Sequence, residues 1–340
     1  MAKPTVHDIA HAAGVSLATV DRVLNARPGV RSVTAERVRR AIDQIGYVRD
    51  VSAANLARQR TYRFVFILPD GDSQFHVALR HAVIEGGRGV AGDRVTVTTR
   101  LVPEDDAHAI AREIARLDPS RTDGVAIMAH ETPQLRDAIA RLKERGIPVV
   151  AFVSNLPNTG CDDFVGINDR AAGRTAATLL GRFCNGQGAI VVVTGSLQAR
   201  NSLERRLGFD EVIAEEFPGM TVLPTIESHG DGERLSENLA RLLTRNPQTV
   251  GVYSIATGTR ALAQALPSRA ERNLTVIVHE LTPFSRAALL ARRIDGIITQ
   301  DVGHLARSAQ RILRSRCDGL PTITEQERIR IEIILRENLP

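Results

Sequence analysis

Residues 8–25 read DIAHAAGVSLATVDRVLN, two short periodic stretches broken by Gly14-Val15-Ser16. Around the first stretch, Val6, Ile9, Ala10 and Ala13 recur at helical spacing, and Asp8 sits near that helix's positive amino end. Gly14 can adopt the positive φ that closes a tight turn between helices. Ser16 is a good N-cap for a second helix, in which Val20, Val23 and Leu24 face inward and Leu17, Ala18, Asp21, Arg22 and Asn25 face outward. A third helix is expected from about Thr34, with Val38, Ala41, Ile42 and Ile45 inward, Arg37, Arg39 and Arg40 outward, and a stop at Gly46.

Three short helices, the second with a shallow outward face, describe a helix-turn-helix domain or an ordinary small helical domain. Charge favours the first reading. Up to Arg63 there are eleven Lys and Arg against five Asp and Glu, a net of +6, whereas the whole chain is +5. Nearly all the basic excess therefore lies in the first fifth, on a segment with helical periodicity, which is the footprint of nucleic-acid binding. Arg22 can make a bidentate contact to a guanine edge, and Asn25 can reach phosphate or base.

The segments TVHDIAHAAGVSLATVDRVLN, VTAERVRRAIDQIGYV and SAANLA resemble the DNA-binding head of the lac-repressor family, without gaps from Thr5 to Leu56. The resemblance implies Leu17, Ala18 and Arg22 as base readers within a DNA-contacting set that also holds Thr5, Ser16, Thr19, Asn25, Ala53 and Leu56. Asp21 stands where that family usually has Ser, and Arg49 where it usually has Pro. Residues 50–60, DVSAANLARQR, are too short for a stable isolated helix, since such helices below roughly 12 residues are marginal in water. They read as a linker or as a hinge that orders on binding. The resemblance implies a hinge helix in the minor groove, with Leu56 as the apolar wedge between base pairs.

From Tyr62 onward, apolar strands alternate with amphipathic helices: FVFILP, RVTVTTRLV, DGVAIMAH, IPVVAFVSN, DDFVGIN, AIVVVTGS, TVGVYSI, LTVIVHE and IDGIITQD. That pattern indicates βαβ units and parallel sheets, too many strands for one sheet, hence two lobes. VAIMAHETP at 125–133 and VIVHELTP at 276–283 echo one another and place two similar strand ends on one cleft. The fold class is a small all-α head plus an α/β two-lobed body, each lobe a parallel doubly wound sheet; the resemblance extends to this body and implies the fold of periplasmic sugar-binding proteins. The boundaries are 1–49 for the head, 50–61 for the hinge and 62–340 for the body. Lobe 1 takes about 62–158 and 291–324, and lobe 2 about 159–290 and 325–340.

Catalytic motifs do not fit. Gly87, Gly89 and Gly92 satisfy G-x-G-x-x-G but follow a helix and precede a strand, the reverse of a dinucleotide fingerprint. There is no Walker A Lys, nucleophile-elbow Ser or H-E-x-x-H. His130-Glu131 with His279-Glu280 could offer four metal ligands, but adjacent side chains diverge, and neither metal nor cofactor is expected. Cys161, Cys184 and Cys317 are odd in number and widely spaced, which fits buried apolar residues better than disulfides.

Strand ends supply polar groups instead: Asp70 and Gln74, Asn168 and Asp169, Arg205, Ser254, Glu280, Gln300 and Asp301. Carboxylates, amides and an Arg on one cleft suit a polyhydroxylated ligand, because each hydroxyl both donates and accepts. Asp70 and one of Asn168 and Asp169 have helix capping as the alternative. The resemblance places Asn168, Arg205, Ser254, Glu280 and Gln300 at ligand contacts, with Glu280 in place of the family's Asp. With no Trp, stacking falls to Phe75, Phe152 or Phe164. The ligand-binding set is Asp70, Gln74, Phe75, Asn168, Arg205, Ser254, Glu280 and Gln300.

These features imply a DNA-binding transcriptional regulator, a repressor controlled by a sugar or polyol, with a purine as the second choice. One recognition helix per chain implies a homodimer on a pseudo-palindromic operator. The amino terminus has no signal-peptide h-region and no run long enough to span a bilayer, so a cytoplasmic location and no membrane partner are expected. The alternative is an α/β enzyme acting on a sugar or nucleoside, with an autoregulatory head.

Overall fold

The computed structural model describes residues 4–24, 27–47, 60–88, 94–103, 106–255, 259–268 and 271–340. The chain divides into two units, Met1–Arg60 and Thr61–Pro340.

The first unit holds α1 (Val6–Ala13), α2 (Leu17–Leu24) and α3 (Ser32–Ile45). Thr5 and Asp8 form a capping box at the start of α1: the Asp8 carboxylate accepts from Thr5 N–H at 2.7 Å. Such a cap contributes about 1 kcal/mol. Gly14, at φ +58, ends α1 in the left-handed region, and Ser16 Oγ accepts from Thr19 N–H at 3.2 Å to start α2. Helix α3 begins two residues before the expected Thr34, because Thr34 and Ala35 both donate to the Arg31 carbonyl. Gly46, at φ +64, closes it. Ile9, Ala13, Val20, Val38 and Ala41 form the buried core, with Val23, Leu24, Ile42 and Ile45 packed around it.

The second unit contains two sheets. The first is parallel, in the order β2-β1-β3-β4-β5: β1 (Tyr62–Pro69), β2 (Val95–Val102), β3 (Gly124–Ile127), β4 (Val149–Phe152) and β5 (Asp163–Val165). The second holds β6 (Gly188–Thr194), β7 (Met220–Val222), β8 (Ile226–Glu227), β9 (Thr249–Ser254), β10 (Thr275–His279), β11 (Gly296–Thr299) and β12 (Glu332–Ile334). Its order is β12-β11-β10-β9-β6-β7, with β8 beside β6 and only β12 antiparallel. Around the first sheet lie α4 (Gln74–Arg88), α5 (Ala107–Ala115), α6 (Pro133–Glu144) and α12 (Val302–Asp318). Around the second lie α7 (Asp169–Phe183), α8 (Arg200–Glu216), α9 (Gly232–Arg245), α10 (Thr259–Ala265) and α11 (Pro283–Leu290); α13 (Thr324–Glu327) precedes β12.

Both faces of the central strands are covered, so strands such as β3, β4 and β11 are buried at successive positions, whereas the edge strand β2 alternates. Phe64 and Phe66 point into one core, while Val65 and Ile67 point into another. The first of these cores is continuous from Phe66 through Ala176 and Phe209 to Tyr253, and so joins the two sheets.

Two lobes are present, but their boundaries differ from the sequence reading. The first crossing comes after Val165 and not near residue 158, because Asp163–Val165 pairs with Val150–Phe152. The second comes after Thr299 and not near residue 290, because β11 pairs with β10 and β12. The two short strands β7 and β8 had no alternating pattern long enough to read. The HETP and HELTP echo also falls on non-equivalent strands. By position in the sheets, β4 matches β10, and both are followed by a residue with positive φ, Val153 at +62 and Glu280 at +69.

Candidate functional site

In the head, the outward face of α2 carries Leu17, Ala18, Asp21 and Arg22 exposed, with Thr19 half-buried and Ser16 exposed at its start. Thr5 is exposed but engaged in its capping box. Asp21, whose negative charge would oppose phosphate, is paired with Arg27 at 3.1 Å. Arg22, Arg31, Arg37 and Arg39 are exposed on the same small unit. The remaining expected DNA contacts, Asn25, Ala53 and Leu56, lie outside the described residues.

In the body, the carboxyl ends of the strands face two adjoining cavities of about 580 and 370 Å³, which share Phe75, Gly195, Gly230 and Glu280 in their walls. Ligands of open parallel sheets bind at such strand ends. Glycines set the geometry behind them. A Cβ at Gly173 would collide with the Arg205 carbonyl, and one at Gly208 with the Arg170 carbonyl, so α7 and α8 cross backbone to backbone. That crossing brings Asp169 of α7 to Arg205 of α8.

Arg205 is buried. Its Nε donates to Asp169 Oδ1 at 2.8 Å, its Nη1 donates to the Ile255 carbonyl at 2.8 Å, and its Nη2 lies 3.6 Å from Glu280 Oε1. Two buried carboxylates thus share one guanidinium. Burial raises the pKa of both carboxyls, and the Arg205 charge opposes the rise. Gln300 Nε2 donates to Glu280 Oε1 at 3.1 Å, leaving Glu280 Oε2 and Gln300 Oε1 buried and without a hydrogen-bond partner. Tyr253, stacked on Phe209, shares a 2.8 Å hydrogen bond with His279 Nε2, and His279 Nδ1 is likewise buried without a partner. Burial, then the Arg205 charge, hold the His279 pKa well below its usual value, so the ring is neutral. Unpartnered buried polar atoms are costly, and here they gather at and just behind one wall of the cleft.

The expected ligand residues divide accordingly. Gln74, Phe75, Ser254 and Glu280 line the larger cavity, and Phe75, Arg205 and Glu280 line the smaller. Gln74 Oε1 also accepts from the Phe284 N–H at 3.0 Å, a link between the two lobes. Gln300 stands behind Glu280. Asn168 caps α7 through Ala171 N–H and lines a different cavity with Arg328. Asp70 is exposed, its N–H donating to the Val102 carbonyl, and it lines neither chamber. Of the stacking candidates, Phe152 is core, edge-on to Phe66, and Phe164 lies beside Asn168. Asp169, His279, Asp231 and Phe284 were not in the expected set. Asp169 did stand among the strand-end polar groups and His279 among the possible metal ligands, whereas Asp231 and Phe284 left no signal. None of the three cysteines is in a disulfide, and all three are half-buried.

The description "Bacterial regulatory proteins, lacI family" matches residues 5–50, and "Periplasmic binding protein domain" matches residues 64–321. The HTH-type transcriptional regulator pepR1 of Lactobacillus delbrueckii subsp. lactis is 27% identical over 266 residues, 74% of this chain and 75% of its own. DegA of Bacillus subtilis, also an HTH-type transcriptional regulator, is 25% identical over 248 residues, covering 73% and 72%. An ABC transporter solute binding protein from Burkholderia graminis, in complex with D-arabinose, superposes with a TM-score of 0.72 at 23% identity, covering 82% of this chain and 96% of that one. That likeness is one of fold. With a lacI-family helix-turn-helix domain at residues 5–50 and a periplasmic-binding-protein-like domain at 64–321 on one polypeptide, and with HTH-type transcriptional regulators among its relatives, the chain is a DNA-binding transcriptional regulator.

Proposed function

We propose that the chain is a repressor that binds a pseudo-palindromic operator as a homodimer in the cytoplasm and responds to a sugar or polyol held between the lobes. The observation that carries the effector reading is the cluster of unpartnered buried polar atoms on Glu280, Gln300 and His279 at one cleft wall. Glu280 and His279 line the larger chamber, with Gln300 behind Glu280, and hydroxyls, which both donate and accept, would satisfy the Glu280 oxygen and the His279 nitrogen in either tautomer. The D-arabinose complex of a protein with this fold is consistent with that chemistry. The site binds without turnover: the titratable groups around Arg205 are tied to one another, and none is poised as a free nucleophile and base. Dimerisation is supported by the single recognition helix in each chain. No helix among the described residues is long and apolar enough to cross a membrane.

An effector changes DNA affinity only by binding the two conformations of the regulator unequally. The test combines thermal-shift screening against sugars, polyols and purines with operator titration in the presence of each hit. A hit that raises the melting temperature of the body and moves operator affinity supports the proposal. Stabilisation by purines alone would overturn the sugar assignment, and hits that leave operator affinity unchanged would overturn the regulatory one.

A further inference from the structure

The two chambers of the cleft differ in charge. The larger has Asp72, Asp231 and Glu280 in its wall against one cation, Arg260, which lies over the Phe284 ring. The smaller has one carboxylate, Glu280, and is lined by His76, His130 and His229 together with Arg205. It also receives the amino end of α8, through Ala199, Asn201 and Ser202. At that end the N-cap residue is Ala199, which has no side-chain acceptor to give, and the only first-turn N–H met by a side chain is that of Ser202, from Asn201 Oδ1 at 2.8 Å. A 17-residue helix therefore points an unneutralised positive end into the smaller chamber. Facing it, Glu280 is nine-tenths buried with Oε2 unpartnered, an acceptor for a donor that the protein does not supply.

We propose that the effector is a polyhydroxylated carboxylic acid, an aldonate or uronate, its carboxylate in the smaller chamber and its hydroxyls running past Glu280 into the larger. This rests on the reading of the cleft as the effector site. The carboxylate accepts from the α8 backbone and the imidazole N–H groups, while a neighbouring hydroxyl donates to Glu280 Oε2. Glu280 sits where the chambers join, so the ligand's negative end is directed away from it. Phe75, shared by both walls, packs against the sugar carbons.

The experiment is calorimetric titration of the full chain with D-gluconate, D-galactonate, D-glucuronate and D-galacturonate against their uncharged counterparts D-glucitol, D-galactitol, D-glucose and D-galactose. D-Glucose 6-phosphate serves as a second anion. At least one acid is expected to bind about tenfold or more tightly than its counterpart, the scale of a few charge-assisted hydrogen bonds. The preference is expected to fall towards unity in His130→Ala combined with His229→Gly, where glycine suits the His229 φ of +48. Circular dichroism and melting confirm that this variant is folded, and if it is not, Asn201→Leu replaces it. Uncharged sugars binding as tightly as the acids would overturn the proposal and leave the cleft reading standing. Binding of the phosphate alone would overturn the carboxylate, and no binding by any member would overturn both. An acid preference unmoved by the substitutions would overturn its placement beside α8.

Discussion

Arg205 and Asp169 form an ion pair at 2.8 Å in which the side chains are only 4% and 8% exposed. A pair this deep holds together the site more than it adds stability, since desolvation offsets much of its attraction. Removing one member is another matter. Arg205→Ala leaves Asp169 and Glu280 buried without their cation and is expected to destabilise the body by about 3–5 kcal/mol. Urea unfolding of the body measures it. A midpoint equal to wild type would show that the carboxylates are relieved in some other way.

Gly208→Ala tests how the pair is positioned. Its methyl would meet the Arg170 carbonyl, so α7 and α8 must separate. A loss of about 1–3 kcal/mol is expected from the overpacking, with weakened effector response because Asp169 and Arg205 move apart. Unchanged stability and response would mean that the crossing tolerates a wider separation.

His279 predicts a pH dependence. Burial and the Arg205 charge depress its pKa in the folded body, so the ring stays neutral where an unfolded histidine, near pKa ~6.5, takes up a proton. Its stabilisation is present above that value and is lost as pH falls through it towards the folded pKa. Asp169 and Glu280, raised by burial, act in the opposite sense: their contribution is largest in acid and is lost as pH rises from about 4. His279→Gln can keep a hydrogen bond to Tyr253 but does not titrate. Between pH 7 and 5.5 the wild-type melting temperature should fall further than that of the variant. Parallel curves would exclude His279 as the source.

The head should melt by itself. Its core rests on five buried side chains, the largest Ile9. Ile9→Ala should cost about 2–5 kcal/mol, enough to unfold a unit of this size. Calorimetry should show the head transition lost and the body transition kept. A shift of both together would mean that the two units unfold as one.

Arg22 should read sequence. It is exposed on the outward face of α2, and Arg22→Ala is expected to cost about 1–3 kcal/mol per half-site and relax base preference there. Site selection with the variant checks this. Recovery of the wild-type motif at wild-type affinity would remove Arg22 from the readers.

The sequence by itself determined the local structure. Helix periodicity, Gly14, Ser16 and Gly46 marked the head, and the alternation of apolar strands with amphipathic helices marked the two parallel sheets. Those signals act over a few residues, and neighbouring side chains carry them. Ser254 and Glu280 were legible as cleft groups for a similar reason, since a parallel strand's end announces itself, whereas Arg205 stands inside α8 and Phe75 inside α4. What tertiary structure decided was pairing. Asn168 and Asp169 are adjacent and chemically alike, yet one caps α7 and the other reaches Arg205, because a helix start turns successive side chains in different directions. The lobe crossings depended on which strand β5 and β11 pair with, and any apolar strand can pair with any other. The HETP and HELTP echo did place two strand ends on one cleft, His130 at the smaller chamber and His279 at the larger, although β3 and β10 are not equivalent strands. The division of the cleft into an acidic and a histidine-lined chamber comes from loops far apart in the chain, and their meeting is set by packing across the lobes.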